Sequence, residues 1–222
     1  GAGRAPSHGA EEPAGVGVPP AAPEHADNPG VVEHRAPGVQ GSKIVLAVSA
    51  GTGLAYVSGK TEGENMVQKC CIGQSPVVIS PELSYRISPR SSLGAVARIG
   101  LPLGANIAGH ATVAPAGFLR LSHGFSDSGD GVHVMGELGF GVLRNTITLD
   151  TTMPGMDTDI VAQGPLLLGA GVGYTRHLGG AFAVLVDLDA IAGIAVVDKL
   201  GTAIHLNTGV SGDMRLGLAV GF

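Results

Sequence analysis

"DMRLGLAVGF", residues 213–222, closes the chain. Met214, Leu216, Leu218, Val220 and Phe222 alternate there with Asp213, Arg215, Gly217, Ala219 and Gly221. A period of two belongs to a β-strand, whose successive side chains point to opposite faces. One face of this strand is therefore wholly apolar, and the other carries small residues, an acid and a base. A second stretch decides helix against strand. In "AFAVLVDLDAIAGIAV" (181–196), Asp187 and Asp189 share a face only in a strand; on a helix they would stand about 200° apart.

Six further segments repeat the pattern: 43–58, 77–88, 92–103, 111–123, 133–145 and 164–177. With 181–196 and 207–222 they make eight strands. Most have the ~9–11 residues that a tilted membrane strand needs. Pro81, Pro102, Pro115 and Pro165 fall in or beside them and blur their local boundaries. The charges keep to one face. Glu82, Arg86, Arg98, Arg120, Glu137, Asp187, Asp189, Asp213 and Arg215 all alternate with the aliphatic positions and share their side with Gly, Ala and Ser. A soluble ligand-carrying barrel would put the charges outside. Facing lipid, each midplane Arg would cost about 2–4 kcal/mol. The charges must point inward, as a lumenal network in which Arg and carboxylate neutralise each other.

An even number of strands can close and leave no edge, and lipid requires that closure. The fold class expected is thus all-β: an eight-stranded antiparallel transmembrane up-and-down barrel. Its interior is just wide enough to be filled by side chains, so a plugged lumen is expected. Composition agrees. Glycine is 37 of 222 residues, and charged residues are 14% against a usual ~25%. Mean hydropathy is +0.32, with no apolar run near the ~18–20 residues of a membrane helix. Net charge is −5, and no basic stripe is present, which argues against nucleic acid.

Residues 1–41 are different material. Seven of the 14 prolines lie there, among Gly and Ala. Proline has no amide proton and a fixed φ, so a disordered periplasmic tether is expected over 1–41, ahead of a barrel over 42–222. The chain starts at Gly1 without Met, which fits a removed signal peptide. Links between strands alternate in length, except that the link after 92–103, near "GANIAGH", is short as well. "ISPRSS", "FSDSGDG" and "HLGGA" are short turns; 59–76, 144–160 and 197–206 are long loops. Short periplasmic turns and long extracellular loops are the rule in such barrels. The expected place is the bacterial outer membrane, with both termini in the periplasm.

The last strand resembles the C-terminal assembly signal of bacterial outer-membrane barrels, carried here by Leu216, Leu218, Val220 and Phe222. That resemblance implies recognition by the barrel-assembly machinery. Residues 43–222 as a whole resemble the small OmpA/OmpX-type barrels. "SAGTGLAYVSG", "ISPELSYRISPRSSL" and "LGAGVGYTRHLGG" are also similar to small barrel domains of myxobacteria and related deltaproteobacteria. The likeness implies a place and a fold, not a reaction; its myxobacterial form is compatible with a membrane anchor, an envelope-complex subunit or a surface machinery such as motility or adhesion, which no residue here shows.

Sites of chemistry are sparse. Cys70 and Cys71 are the only cysteines, which excludes a disulfide framework and a zinc ribbon. A disulfide, vicinal or intermolecular, is expected from this pair in the 59–76 loop. The histidines outside the tail show no ligand spacing, so no metal is expected. "MPGMDTD" (153–159) lacks the carboxylate spacing of a calcium loop. "GAGVG" (169–173) lies inside a strand with no helix after it, so it does not cradle phosphate. Asp198, His205 and Ser211 share one region, but a triad needs convergence in space. No catalytic residue and no cofactor is expected. The expected partners are outer-membrane lipid, the assembly machinery, and envelope proteins meeting loops 59–76 and 144–160 or the tail 1–41. The function class expected is a structural or interaction barrel. A narrow channel or small porin and a lipid-modifying outer-membrane enzyme are the alternatives.

Overall fold

A computed structural model of the chain describes residues 41–102, 113–149, 158–202 and 204–222. The tether expected over 1–41 lies, apart from Gly41, outside the described residues. The regular elements are strands: β1 (Ile44–Lys60), β2 (Met66–Arg86), β3 (Ser91–Leu101), β4 (Ala114–Gly124), β5 (Gly131–Gly141), β6 (Leu143–Thr148), β7 (Thr158–Gln163), β8 (Leu166–Gly179), β9 (Phe182–Ile194), β10 (Lys199–Leu200), β11 (Ile204–Asn207) and β12 (Gly209–Gly221). Eight of them close a barrel in the order β1-β2-β3-β4-β5-β8-β9-β12, and β12 pairs back onto β1 with Gly51 opposite Arg215. Every wall pairing is antiparallel. Each wall strand corresponds to one of the eight alternating segments.

The faces are inverted relative to a soluble barrel. On β12, Met214, Leu216 and Leu218 are 58, 64 and 62% exposed, while Asp213 and Arg215 are 0 and 2%. Leu46, Val48 and Leu54 on β1 and Val186 and Leu188 on β9 also stand outward. Aliphatic side chains cover the outside, and ionic ones lie in the lumen. Only a lipid surround makes that arrangement favourable. The fold is a membrane-spanning barrel of the outer-membrane type.

Three short turns, at 87–90, 125–130 and 180–181, lie at the same rim as the start of β1 and the end of β12. This is the terminal rim. The opposite, distal rim departs from the sequence reading. The region 59–76 is not a loop: β1 runs to Lys60, β2 starts at Met66, and Thr61–Asn65 make the turn. The region 144–160 is not an open loop either. Gly141 adopts φ +151°, where a Cβ would strike Ala116 and Pro115. From there the chain leaves the wall and forms the β6–β7 hairpin. Both faces of that hairpin are buried over most of its length. Its tip, 150–157, lies outside the described residues. Residues 197–206 hold β10 and β11, and β11 pairs in parallel with β7. The long connections therefore build a cap over the distal mouth. A strand buried on both faces has no alternation to betray it.

Candidate functional site

The lumen is the candidate site, and its layers follow from register. At the centre three arginines hold five carboxylates. Arg98 on β3 grips Asp213 on β12 with two bonds, Nε to Oδ2 at 2.6 Å and Nη2 to Oδ1 at 2.9 Å. Arg120 on β4 donates Nε to Glu137 on β5 at 2.5 Å and Nη1 to Glu82 on β2 at 2.7 Å, with Asp187 of β9 at 3.5 Å. Arg215 on β12 pairs with Asp189 on β9 and donates to the Ser80 hydroxyl at 2.8 Å. His133 on β5 adds Nε2 to Asp187 Oδ1 at 3.3 Å. Of the nine expected lumenal charges, Arg86 stands apart, near the terminal end of β2. His133 joins this network without any metal-ligand spacing; its inward register, two residues from Met135 and four from Glu137, is the signal that places it.

Glycines make the room. A Cβ on Gly169 would meet Glu137 Oε2 at 2.8 Å, and one on Gly94 would meet Glu82 Oε1 at 2.9 Å. One on Gly171 would meet the Asp189 Cβ at 2.9 Å. A charged side chain crossing a narrow barrel needs an empty place on the strand beside it, and glycine supplies that place.

Toward the distal rim the lumen becomes apolar, then closed. Leu143 of β6 packs among Val96, Phe118, Leu167 and Ile191. Ile147 and Val161 pack on Ala55, Val57 and Val67. The hairpin is also tied to the wall by polar groups. Asn145 accepts from the Ser75 hydroxyl at 3.0 Å and donates to Ser211 at 3.3 Å. Gln163 accepts from Ser211 at 3.0 Å and donates to the Tyr56 carbonyl at 3.2 Å. Arg144 meets Glu62 at 2.7 Å, and Asn65 donates to Asp159 at 3.1 Å. Local alternation does not reveal these ties, because each partner lies far away in sequence.

Toward the terminal rim the lumen opens into a cup. The exposed turns around it are pinned by charge. Arg90 holds Asp127 at 2.6 Å, and that hydrogen bond keeps the Asp127 carboxyl below its ordinary range while raising the Arg90 guanidinium. Asp130 accepts the His177 backbone N–H at 2.7 Å and then its ring N–H, and both hold its carboxyl below the ordinary range.

The remaining expected residues are placed as follows. Leu216, Leu218, Val220 and Phe222 lie along the last strand, with Leu216, Leu218 and Phe222 exposed on its outer face. Cys70 and Cys71 sit within β2 instead of a loop; Cys71 is a free thiol, and the Cys70 side chain lies outside the described residues. The Ser211 hydroxyl is committed to Asn145 and Gln163, and His205 faces Glu64 at 3.8 Å, so the trio 198, 205 and 211 is not drawn into a catalytic geometry.

No protein-family model matches the chain, and no curated protein matches it. Among solved structures it is similar to Neisserial surface protein A at 13% identity, over 82% of this chain and 98% of that one, with a TM-score of 0.48. It is similar to the N-terminal β-barrel domain of Pseudomonas aeruginosa OprF at 12% identity, over 79% and 96%, with a TM-score of 0.37. It is also similar to Ail, the attachment invasion locus protein of Yersinia pestis, at 13% identity, over 81% and 99%, with a TM-score of 0.41.

Proposed function

We propose that the chain is an integral outer-membrane protein with a structural or interaction role, its termini in the periplasm and its capped rim outside. The observation that carries this reading is the sealed lumen inside a lipid-facing wall. Three successive barriers lie along the axis: the ion-paired centre, the apolar layer around Leu143, and the hydrogen-bonded hairpin. A barrel filled in this way anchors and presents; it does not conduct. Short turns at the terminal rim support the orientation, because periplasmic turns are the short ones. On this reading the final strand ending in Phe222 serves barrel assembly. Partners meet the distal rim, at the Thr61–Asn65 turn and the described parts of the β6–β7 and β10–β11 hairpins, or the tail 1–41.

Two measurements test the proposal. In planar bilayers the pure protein is expected to give no discrete conductance steps; steady ohmic steps would favour the narrow channel. A cysteine placed at exposed Glu64 should react with a membrane-impermeant maleimide on intact cells. Reaction only after the outer membrane is breached would reverse the orientation.

A further inference from the structure

The distal edge of the wall carries a notch. β5 pairs with β4 only as far as Gly141, opposite Ala116, and there the chain turns inward to begin β6. β4 runs on to Ala114, which pairs on its other side with Gly100 of β3. Val142 and Pro165 line the gap that β5 leaves, and Leu200 and Ile204 of the β10–β11 hairpin lie over it, with Ile204 packed against Val142. The recess measures about 640 Å3. That is about four times the ~150 Å3 that takes a benzene ring, and a usual size for a ligand site.

Its mouth faces sideways. Phe140, 66% exposed, and Gly117, where a Cβ would meet nothing within 4 Å, stand on the outer face of the wall beside lipid-facing Leu119 and Leu138. Ala114, Val142 and Pro165 are buried behind that layer. The recess therefore continues the lipid-facing surface into the thickness of the wall. Among the described residues its lining is apolar except for Arg144, which meets Glu62 and donates Nη1 to the Val113 carbonyl at 3.4 Å. The strand edge is equally quiet. Pro115 has no N–H to leave unpaired, and its carbonyl accepts the Val142 N–H at 3.3 Å. An interrupted wall ordinarily shows backbone polar groups that lipid cannot satisfy. At Val113 and Pro115 those groups are taken or missing, so hydrocarbon can enter without stranding them.

We infer that the recess is a binding site for one acyl chain of a membrane phospholipid, which enters from the bilayer past Gly117 and Phe140 and ends against Val142 and Pro165. The occupant follows from what the mouth meets. The wall around it is already covered by lipid chains, and the recess is continuous with that interface. A second barrel would present a convex face with side chains one layer deep, which cannot reach the buried floor; a flexible chain can.

The test uses the full chain folded into dioleoylphosphatidylcholine vesicles that contain a phosphatidylcholine with a diazirine near the end of one acyl chain. After photolysis, adducts are mapped residue by residue by mass spectrometry. Outward residues such as Leu119, Leu138 and Leu188 should be labelled in any membrane barrel. The inference requires adducts on Val142, Pro165 or Ala114 as well, at yields comparable with those on the outer face. Gly117→Trp, which covers the mouth, should remove the adducts behind the wall and keep those on Leu188. Gly136→Trp is the matched control, because a Cβ there also has nothing within 4 Å; it should leave the buried adducts in place. Heat-modifiable migration on an unboiled gel shows that each variant is folded, and if Gly117→Trp does not fold, the parent's map decides alone. Adducts confined to outward residues would overturn the inference, as they would if a second copy or the chain itself filled the recess. So would buried adducts that persist in folded Gly117→Trp.

Discussion

Breaking the Arg98–Asp213 pair tests the inverted barrel at its centre. Both side chains are buried to within 1%, and two short bonds join them. Removing one partner strands the other charge in the lumen, at a cost of about 3–5 kcal/mol. The two halves are not equivalent. Around the axis, Arg98, Arg120 and Arg215 face Glu82, Glu137, Asp187, Asp189 and Asp213. Arg98→Met leaves five carboxylates against two arginines, and Asp213→Asn leaves four against three. Arg98→Met should therefore lie at the upper end of that range, lowering the folding equilibrium by roughly three to four powers of ten, and Asp213→Asn at the lower end. The double variant should cost less than the sum, with a coupling of at least about 1 kcal/mol. Urea titrations in detergent micelles, read by the shift between folded and unfolded bands on an unboiled gel, give all three values. Single variants within about 0.5 kcal/mol of the parent, or a costlier Asp213→Asn, would refute the reasoning.

Gly169→Val should destabilise by about 1–3 kcal/mol in the same titration, because its branches meet Glu137; Gly136→Ala, where a Cβ has nothing within 4 Å, should be neutral. Asn145→Ala leaves the Ser75 and Ser211 hydroxyls short of a partner and should cost about 1–3 kcal/mol; limited proteolysis should then cut the β6–β7 hairpin sooner than in the parent. The depressed Asp130 carboxyl stabilises the 125–130 turn above its unfolded pKa and loses that effect as pH falls through the lower folded one. Protection of the His177 amide, its exchange rate relative to an unstructured amide at the same pH, should accordingly be high at neutral pH and fall in acid, and Asp130→Asn should abolish that fall.

Which residues face lipid was legible along the chain because alternation is local. Met214 and Arg215 point apart in any strand, whatever lies beside it. The same property marked eight wall strands, and the expense of charge in lipid turned nine ionic positions inward. Partnership was not legible. Arg98 finds Asp213 at a separation of 115 residues, and Arg120 reaches three strands at once, through a register that exists only when β12 closes on β1.

The sequence alone thus determined an inverted cylinder, since period and polarity are carried by neighbouring residues. Only the tertiary structure decided that 143–148 and 158–163 turn into the distal mouth while the terminal side stays open as a cup. Those segments are buried by contacts from every side, and Asn145 and Gln163 look like loop polar residues until Ser211, 48 positions or more away, is brought to them.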